Sequence, residues 1–312
     1  MSELLVEATG LVKAYGDFLA VDGLDLRLSE GEVYGFLGPN GSGKSTTILM
    51  MLGLTEPTAG AVKVVGHNPT REPLEVKRQV GYLPESVGFY SDMSGRSNLL
   101  YTADLNNMRL ADAKVRIDEL LGMVELADAM NQPVGQYSRG MRQRLGLADV
   151  LLKRPRVIIL DDPTLGLDPT GIQWLLGIIE ELSSNQGISV FLSSHQLHEV
   201  QQVCHRVGIM SHGKIVLEGT VAELTEQTAS GGFGLVLEVL GGGDELMTTL
   251  TALPSVTACN RVGNEIVLQS SADVRAQATS AVIASGASLL GASSENRTLE
   301  EIYLRYFAGQ ES

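Results

Sequence analysis

The segment from Gly38 to Thr46 constrains the fold of this chain more than any other. It reads Gly-Pro-Asn-Gly-Ser-Gly-Lys-Ser-Thr and fits the pattern G-x-x-x-x-G-K-[ST]. A short apolar run from Val33 to Leu37 precedes it, and a helix-like apolar run from Thr46 to Leu54 follows it. The order strand, loop, helix predicts a phosphate-binding loop in an α/β fold.

Three features of this segment favour binding of phosphate. Its glycines let backbone N–H groups point inward at an anion, and the helix that begins near Lys44 directs its positive dipole end to the same place. We expect the Lys44 ammonium to reach the β- and γ-phosphates of a nucleoside triphosphate. The Ser45 hydroxyl is placed to ligate the Mg²⁺ that accompanies such a nucleotide.

Size and charge limit the organisation of the chain and its partners. A length of 312 residues predicts one large and one small domain. A net charge of −14 argues against nucleic acid as the main partner, because phosphate backbones are bound by clustered Lys and Arg. We find no apolar run long enough to cross a bilayer, and the acidic start of the chain does not suggest export. Two cysteines, Cys204 and Cys259, suit a reducing cytoplasm.

Two carboxylates and a histidine follow two further apolar runs. The run from Val157 to Leu160 is typical of a strand buried on both faces, and it ends at Asp161 and Asp162. Open α/β sheets bind ligands at the carboxyl ends of such strands. We expect Asp161 to hold Mg²⁺ through water and Asp162 to orient or deprotonate a water that attacks the γ-phosphate. The run from Ile188 to Ser194 delivers His195; a lone histidine is more often structural, but this position favours a functional role.

Three more positions are candidates for the site. Ser138 is placed to cap an arginine-rich helix, where it either helps to bind an anion or caps an ordinary surface helix. Tyr15 lies in a turn-rich stretch, where its ring either stacks on a nucleotide base or fills a strand end in the core. Glu85 follows a proline just past a predicted strand, a position suited to a residue near the metal or the attacking water.

The remaining segments predict a large α/β domain and a small one. Residues 4–28 alternate like short antiparallel strands, and residues 94–124 have helical apolar spacing. We therefore predict a mixed sheet core, an antiparallel β subdomain and a helical insert at about residues 86–153. A composition change at residues 229–232 marks a linker. Beyond it, the order β-α-β-β-α-β predicts a ferredoxin-like α+β domain, followed by a helix from Leu299 to Phe307.

Taken in order, these motifs resemble those of the ATP-binding cassette ATPases, the nucleotide-binding subunits of ABC transporters. The resemblance covers roughly Leu4 to Thr228 and implies domains at residues 1–228 and 232–312, a P-loop NTPase cassette fold, ATP and Mg²⁺ as cofactors, and hydrolysis of ATP. It would give Mg²⁺ the ligands Ser45, Asp161 and Glu85. The residues that it assigns are Gly38, Pro39, Asn40, Gly41, Ser42, Gly43, Lys44, Ser45 and Thr46 of Walker A, the adenine-stacking Tyr15, Glu85 of the Q-loop, the signature Ser138, Arg139, Gly140 and Met141, Asp161 and the catalytic Asp162 of Walker B, Asp168 of the D-loop, and the switch histidine His195.

The resemblance also implies partners. In that family two cassettes stack head to tail, with each nucleotide between the Walker A loop of one subunit and the signature helix of the other. Ser138 and Gly140 would then contact the γ-phosphate of ATP bound to Lys44 of a second ATPase subunit, identical or different. The helical insert would pass motion to separate membrane permease subunits at the cytoplasmic face of the membrane. The C-terminal domain would be regulatory or dimer-stabilising.

Two other classes fit the same loop less well. A non-transport cassette protein, acting as a soluble regulatory or mechanical module in DNA repair or translation, usually has a long coiled-coil insertion or two cassettes, and basic surfaces. This sequence has none of these features. An unrelated P-loop kinase or GTPase is disfavoured by the segment from Tyr137 to Met141 and by the position of His195. The substrate stays open, because selectivity lies in the membrane partner.

Four positions depart from the usual cassette pattern. Glu85 replaces a glutamine, and Arg139 and Met141 replace a glycine and a glutamine, as in exporter-type ATPases for drugs, polysaccharides or maturation factors. Asp162 replaces the usual catalytic glutamate and is shorter by one methylene, about 1.5 Å. A misplacement of about 1 Å can cost on the order of a hundredfold in rate. We therefore expect slow turnover, or a second cassette that supplies the competent site.

Asp162→Glu tests this expectation. If the short side chain limits the reaction, the longer one will raise the rate of phosphate release at saturating Mg²⁺-ATP several-fold, because it restores the reach of the carboxylate. An unchanged or lower rate would show that the length of the side chain is not limiting.

Overall fold

The computed structural model describes residues 3–196, 201–224 and 233–295. The chain forms two compact units, Met1–Glu218 and Gly219–Ser312. The linker predicted at residues 229–232 and the helix predicted from Leu299 to Phe307 lie outside the described residues.

The elements of the first unit alternate between strands and helices after an initial hairpin. The strands up to residue 220 are β1 (Leu4–Tyr15), β2 (Phe18–Ser29), β3 (Val33–Leu37), β4 (Ala59–Val64), β5 (Val80–Leu83), β6 (Val157–Asp161), β7 (Ser189–Ser194), β8 (Arg206–Ser211) and β9 (Lys214–Thr220). The helices up to residue 186 are α1 (Lys44–Met51), α2 (Pro73–Gln79), α3 (Gly95–Leu105), α4 (Leu110–Met123), α5 (Arg139–Leu151) and α6 (Pro169–Gln186).

The N-terminal strands form an antiparallel sheet in the order β2-β1-β4. The prediction of several short strands in this region was wrong, because β1 and β2 each run for 12 residues. The apolar alternation is interrupted where a β-bulge adds a residue, but the strand continues through the bulge. One such shift in register lies between Ala8 and Leu11, where Gly10 has a φ of 53°. The chain reverses at Gly16 and Asp17, as the sequence predicts.

The central sheet has six strands in the order β5-β6-β7-β3-β8-β9. Strands β5, β6, β7, β3 and β8 run parallel to one another. All residues of β3 and β6 are buried, as expected of strands covered on both faces. Because the carboxyl ends of parallel strands meet at one edge, the segments that follow β3, β6 and β7 lie together there.

An aromatic cluster holds two of these strands together. The rings of Tyr34 and Phe36 on β3 lie against Phe191 on β7, with centroids 5.6 Å and 5.3 Å from it. All three side chains are fully buried. Aromatic pairs at such distances add about 0.5–1.5 kcal/mol beyond their buried area. The cluster fixes the part of the sheet from which the loop at Gly38 departs.

The helices α3, α4 and α5 lie between β5 and β6 in the chain and form the predicted helical insert. Ser94 caps α3 and Ser138 caps α5, each by accepting a hydrogen bond from a backbone N–H three residues later. In the part of the chain that the structure describes, no helix combines the length and apolar character needed to cross a membrane.

The second unit contains β10 (Phe233–Leu240), β11 (Val256–Val262), β12 (Glu265–Ser270) and β13 (Ser288–Glu295), with helices α7 (Gly243–Thr251) and α8 (Arg275–Ala284). Its sheet order is β11-β12-β10-β13. This is the order of a ferredoxin-like unit, in agreement with the predicted β-α-β-β-α-β pattern. The core lies between the sheet and the helices and includes Leu237, Leu246 and Val282.

Candidate functional site

The loop from Gly38 to Gly43 joins β3 to α1. Gly41 and Gly43 have φ values of 82° and 111°, which are left-handed conformations that favour glycine. Helix α1 begins directly at Lys44, and no side chain caps it. The first backbone N–H groups of α1 therefore keep their capacity to bind an anion.

Two glycines of this loop lie against the body of the unit. A Cβ at Gly43 would collide with the carbonyl of Ala20 and the side chain of Met210, and one at Gly38 would collide with the Met210 carbonyl. The Ser42 carbonyl also accepts a hydrogen bond of 2.9 Å from the Gly213 N–H. The loop thus packs against β2, β8 and the turn between β8 and β9, which fix its position.

The Lys44 side chain lies along the loop. Its ammonium donates to the carbonyls of Gly38 and Pro39 at 2.7 Å and 3.1 Å, and the residue is only 5% exposed. Burial lowers the pKa of Lys44, and the negative charges of Asp162 and Asp161 oppose that effect. The ammonium therefore lies within electrostatic range of both carboxylates, and a bound phosphate would add a further partner.

Asp161 ends β6 and lies beside the predicted loop site. Its Oδ1 accepts a hydrogen bond of 2.6 Å from the Ser193 hydroxyl, and the residue is 7% exposed. Burial raises the pKa of the Asp161 carboxyl, whereas the hydrogen bond from Ser193 lowers it. Burial, the charge of Asp161 and a hydrogen bond to it raise the pKa of Tyr82, on β5, to about 12.

Asp162 and His195 form a pair. The Asp162 Oδ1 accepts two hydrogen bonds from His195, one of 3.2 Å from its backbone N–H and one of 2.8 Å with the ring Nδ1. Asp162 has a φ of 45°, an uncommon conformation for a residue with a side chain. The structure therefore brings together the two residues that the sequence places at the ends of separate strands.

Two further predicted site residues, Glu85 and Tyr15, are exposed. Glu85 is exposed on the loop after β5, and its charge contributes to the raised pKa of Asp161. Tyr15 ends β1 and is 51% exposed, which excludes the alternative of a core tyrosine. The Lys13 ammonium lies 4.9 Å from the centroid of its ring.

The predicted signature residues lie at the start of α5. Ser138 caps this helix and accepts a hydrogen bond of 3.1 Å from the Met141 N–H. The Arg139 side chain lies against Gly166, where a Cβ would collide with its guanidinium. Asp168 caps α6 by accepting a hydrogen bond of 2.9 Å from the Gly171 N–H. The start of α5 and the loop before α6 are thus in contact.

A cavity of about 550 Å³ opens beside these residues. Its lining includes Ser138, Gly140 and Asp168, together with Arg144 and Trp174. The Arg144 guanidinium lies 4.4 Å from the centroid of the Trp174 ring, a cation–π contact. The lining described for this cavity includes no residue of the loop from Gly38 to Gly43.

The loop cluster fits a nucleoside triphosphate with Mg²⁺. The Ser42 hydroxyl is buried and has no hydrogen-bond partner within the part of the chain that the structure describes, so it can donate to a phosphate oxygen. Ser45 is exposed on the first turn of α1, and Asp161 provides a carboxylate nearby. Hydroxyl and carboxylate oxygens are ligands that Mg²⁺ prefers.

Comparison with known proteins decides the family. The family model for ABC transporters matches residues 21–165. The bacitracin transport ATP-binding protein BcrA of Bacillus licheniformis is 42% identical over 214 residues, which are 69% of this chain and 69% of that protein. The chain belongs to the ATP-binding subunits of ABC transporters. It is therefore an ATP-binding protein and an ATPase of the ABC family.

Other relatives agree with this assignment. The daunorubicin resistance ATP-binding protein DrrA3 of Streptomyces coeruleorubidus is 38% identical over 241 residues, or 77% of this chain and 76% of that protein. Among solved structures, the ATP-binding subunit of an ABC transporter superposes with a TM-score of 0.67 at 29% identity. That match covers 72% of this chain and 93% of the other.

Analysis of the sequence missed several neighbours of the ABC motifs. Ser193 and Tyr82 contact Asp161 across strand pairs, and Trp174 contacts Arg144 from another helix. No spacing in the sequence identifies these contacts, because they depend on strand register and helix packing. The position of Ser193, two residues before His195 on a buried strand, was the one available signal.

Gly43→Ala tests the geometry of the loop. The added Cβ would meet Ala20 and Met210 and would force the loop out of place, so binding of a fluorescent ATP analogue should weaken by at least about tenfold. Gly23→Ala is the matched control, because Gly23 also has a positive φ, 68°, but open space around its Cα. This control should lose about 1 kcal/mol of stability and keep its affinity. Equal affinity in both variants would contradict the role of the loop.

Proposed function

We propose that this ATPase subunit works as a head-to-tail dimer in which each Mg²⁺-ATP is enclosed by two subunits. The observation that carries the proposal is the separation of two anion-binding features on one chain. The loop at Gly38 to Lys44 is one of them, and the start of α5, with its own cavity, is the other. Among the described residues, the Ser138 cap accepts only from the Met141 N–H, so the earlier N–H groups of α5 can still bind an anion. A site that uses both features needs a second cassette.

Two-fold symmetry favours this arrangement. If the start of α5 in one subunit covers the loop of the other, the same operation creates a second, identical site. Asp168 lines the same cavity as Ser138, so it would lie in this interface. Gly140 leaves space there, since a Cβ would meet atoms only at 3.8 Å or beyond. Arg139 and Met141 would flank the nucleotide.

The loop cluster would hold and orient the reactants. Lys44, the Ser42 hydroxyl and the first N–H groups of α1 would bind the phosphates, with Asn40, Gly41 and Thr46 completing the loop. Ser45, Asp161 and Glu85 would hold Mg²⁺, which neutralises charge on the phosphate oxygens when bound.

Asp162 and His195 would position the attacking water. The Asp162 Oδ1 already accepts two hydrogen bonds from His195, so Oδ2 is the oxygen that would face the water. His195 would be fixed with Nε2 directed away from the carboxylate, toward the γ-phosphate. Tyr15, exposed at the end of β1, would stack on the base.

The membrane partner would bind a groove between the segment that follows α1, strand β5 and the helical insert. This groove of about 230 Å³ is lined by Leu52, Leu54 and Thr102, among others. Asp149 also lines it, and the buried Oδ1 of that side chain has no hydrogen-bond partner among the described residues. An apolar segment that carries a hydrogen-bond donor would match this surface.

The transport role follows from the relatives. BcrA is named for bacitracin transport and DrrA3 for daunorubicin resistance. We infer that this subunit sits at the cytoplasmic face of a membrane and drives a separate permease for export; delivery of a maturation factor is the second candidate. We further place the domains at residues 1–228 and 232–312, the latter with a regulatory or dimer-stabilising role.

Complementation tests the shared site. Lys44→Ala and Ser138→Arg should each be inactive alone. In a homodimer of either variant, both sites lack one of the two features, the phosphate loop or the start of α5. Mixed dimers contain one intact site, so an equal mixture should recover about a quarter of the wild-type ATPase rate if sites act independently. A mixture no more active than its separate components would contradict the proposal.

A second serine controls for the loss of a helix cap. Ser94→Ala and Ser138→Ala each remove one cap hydrogen bond, worth about 1 kcal/mol. Only Ser138→Ala should weaken the dimer that forms with Mg²⁺-ATP, as measured by analytical ultracentrifugation.

Leu54→Arg tests the groove. Leu54 is 53% exposed, and a charge there would have to be desolvated on docking, so co-purification of a polytopic membrane protein should fall at least about tenfold. Leu110→Arg, at an exposed leucine of the insert outside the groove, should co-purify normally. ATP binding should be unchanged in both. Retention of the membrane protein by Leu54→Arg would contradict this docking site.

A further inference from the structure

Ser193 is the buried hydroxyl that joins the two acidic residues of the site. It lies on β7 directly opposite Asp161 on β6, in the parallel register that pairs the two residues. Its hydroxyl donates to the Asp161 Oδ1 at 2.6 Å. The same oxygen accepts a hydrogen bond of 3.1 Å from the Asp162 N–H.

The Ser193 hydroxyl both donates a hydrogen bond and accepts one within the site. Ser193 is 0% exposed, so water does not compete for its hydrogen bonds. The donated bond fixes one oxygen of the Asp161 carboxylate and so restrains the orientation of the whole group. The accepted bond holds the backbone of Asp162 in its uncommon conformation with a φ of 45°.

We propose that Ser193 is a positioning residue that orients Asp161 toward Mg²⁺ and holds Asp162 in register with His195. The inference rests on the proposed Mg²⁺-ATP site. Removing the hydroxyl would leave a buried carboxylate oxygen without its donor and would weaken the restraint on Asp162, since only the Ser193 carbonyl, 3.2 Å away, would still accept from its N–H.

The strand offers a matched control at its other end. Ser189 is also 0% exposed on β7, and its hydroxyl accepts a hydrogen bond of 2.8 Å from the Gly31 N–H. Ser189→Ala and Ser193→Ala thus each remove one buried hydroxyl from the same strand. Only Ser193 contacts the acidic residues.

The test measures metal dependence in the full-length protein. A fluorescent ATP analogue is titrated with Mg²⁺ and with EDTA, and the Mg²⁺ concentration for half-maximal binding is determined. Ser193→Ala should raise that concentration about tenfold or more and leave the EDTA affinity within about twofold, because partners of metal ligands typically contribute 10–100-fold. Ser189→Ala should behave like wild type in both titrations, whatever its melting temperature.

Two variants of the same shape, Ser193→Thr and Ser193→Val, separate the loss of the hydroxyl from a general effect on folding. Ser193→Thr keeps the hydroxyl and Ser193→Val replaces it by a methyl group in a side chain of the same shape, so any difference between them isolates the hydrogen bonds. In Asp161→Asn protein, adding Ser193→Ala should change the Mg²⁺ dependence little, since Ser193 acts through Asp161.

Three outcomes decide the matter. A raised Mg²⁺ requirement in Ser193→Ala and Ser193→Val, but not in Ser193→Thr, supports the inference. Mg²⁺ dependence in Ser193→Ala equal to that in Ser189→Ala overturns it and leaves the proposed function intact. A wild-type protein whose ATP binding does not respond to Mg²⁺ overturns the proposed Mg²⁺ site itself, and the inference with it.

Discussion

Parallel pairing of β6 with β7 and of β7 with β3 is the constraint on which the site depends. The register sets Asp161 opposite Ser193 and Leu37 opposite Ser194, so the loop at Gly38, the two aspartates and His195 emerge at one edge. A shift of one residue in either pair would turn these side chains to the other face of the sheet. The buried aromatic contacts of Phe191 with Tyr34 and Phe36 resist such a shift.

The sequence predicts the parts of the site that end apolar runs. The phosphate loop, Asp161, Asp162 and His195 are found in this way, because a change from buried strand to polar loop is a local signal. Partners across the sheet are not local: Ser193 finds Asp161 only through the pairing register. The lengths of β1 and β2 are also not predicted from the sequence. Their bulges interrupt the apolar alternation, so one long strand looks like several short ones.

The aspartate at position 162 changes how the site is arranged. Its short side chain is held by His195 through one oxygen, and its backbone is held by Ser193. The two hydrogen bonds therefore fix His195 and the Asp162 carboxylate relative to each other. The Asp162 carboxylate nevertheless reaches less far toward a bound nucleotide than that of a glutamate would. In the same chain, Arg139 packs on Gly166 and ties the start of α5 to the loop after Asp162. The loop that follows the proposed hydrolytic residue and the surface proposed for the second subunit are thus in direct contact.

The most direct test of the shared site uses Trp174, the single tryptophan of the chain, which lines the cavity with Ser138. Its fluorescence is recorded while Mg²⁺-ATP is added at several protein concentrations. If a second subunit brings the nucleotide to this cavity, the ATP concentration for half-maximal change should fall as protein concentration rises, and Lys44→Ala should give no change. A change that is the same at every protein concentration would contradict the account, because the nucleotide would then reach the cavity without a second subunit.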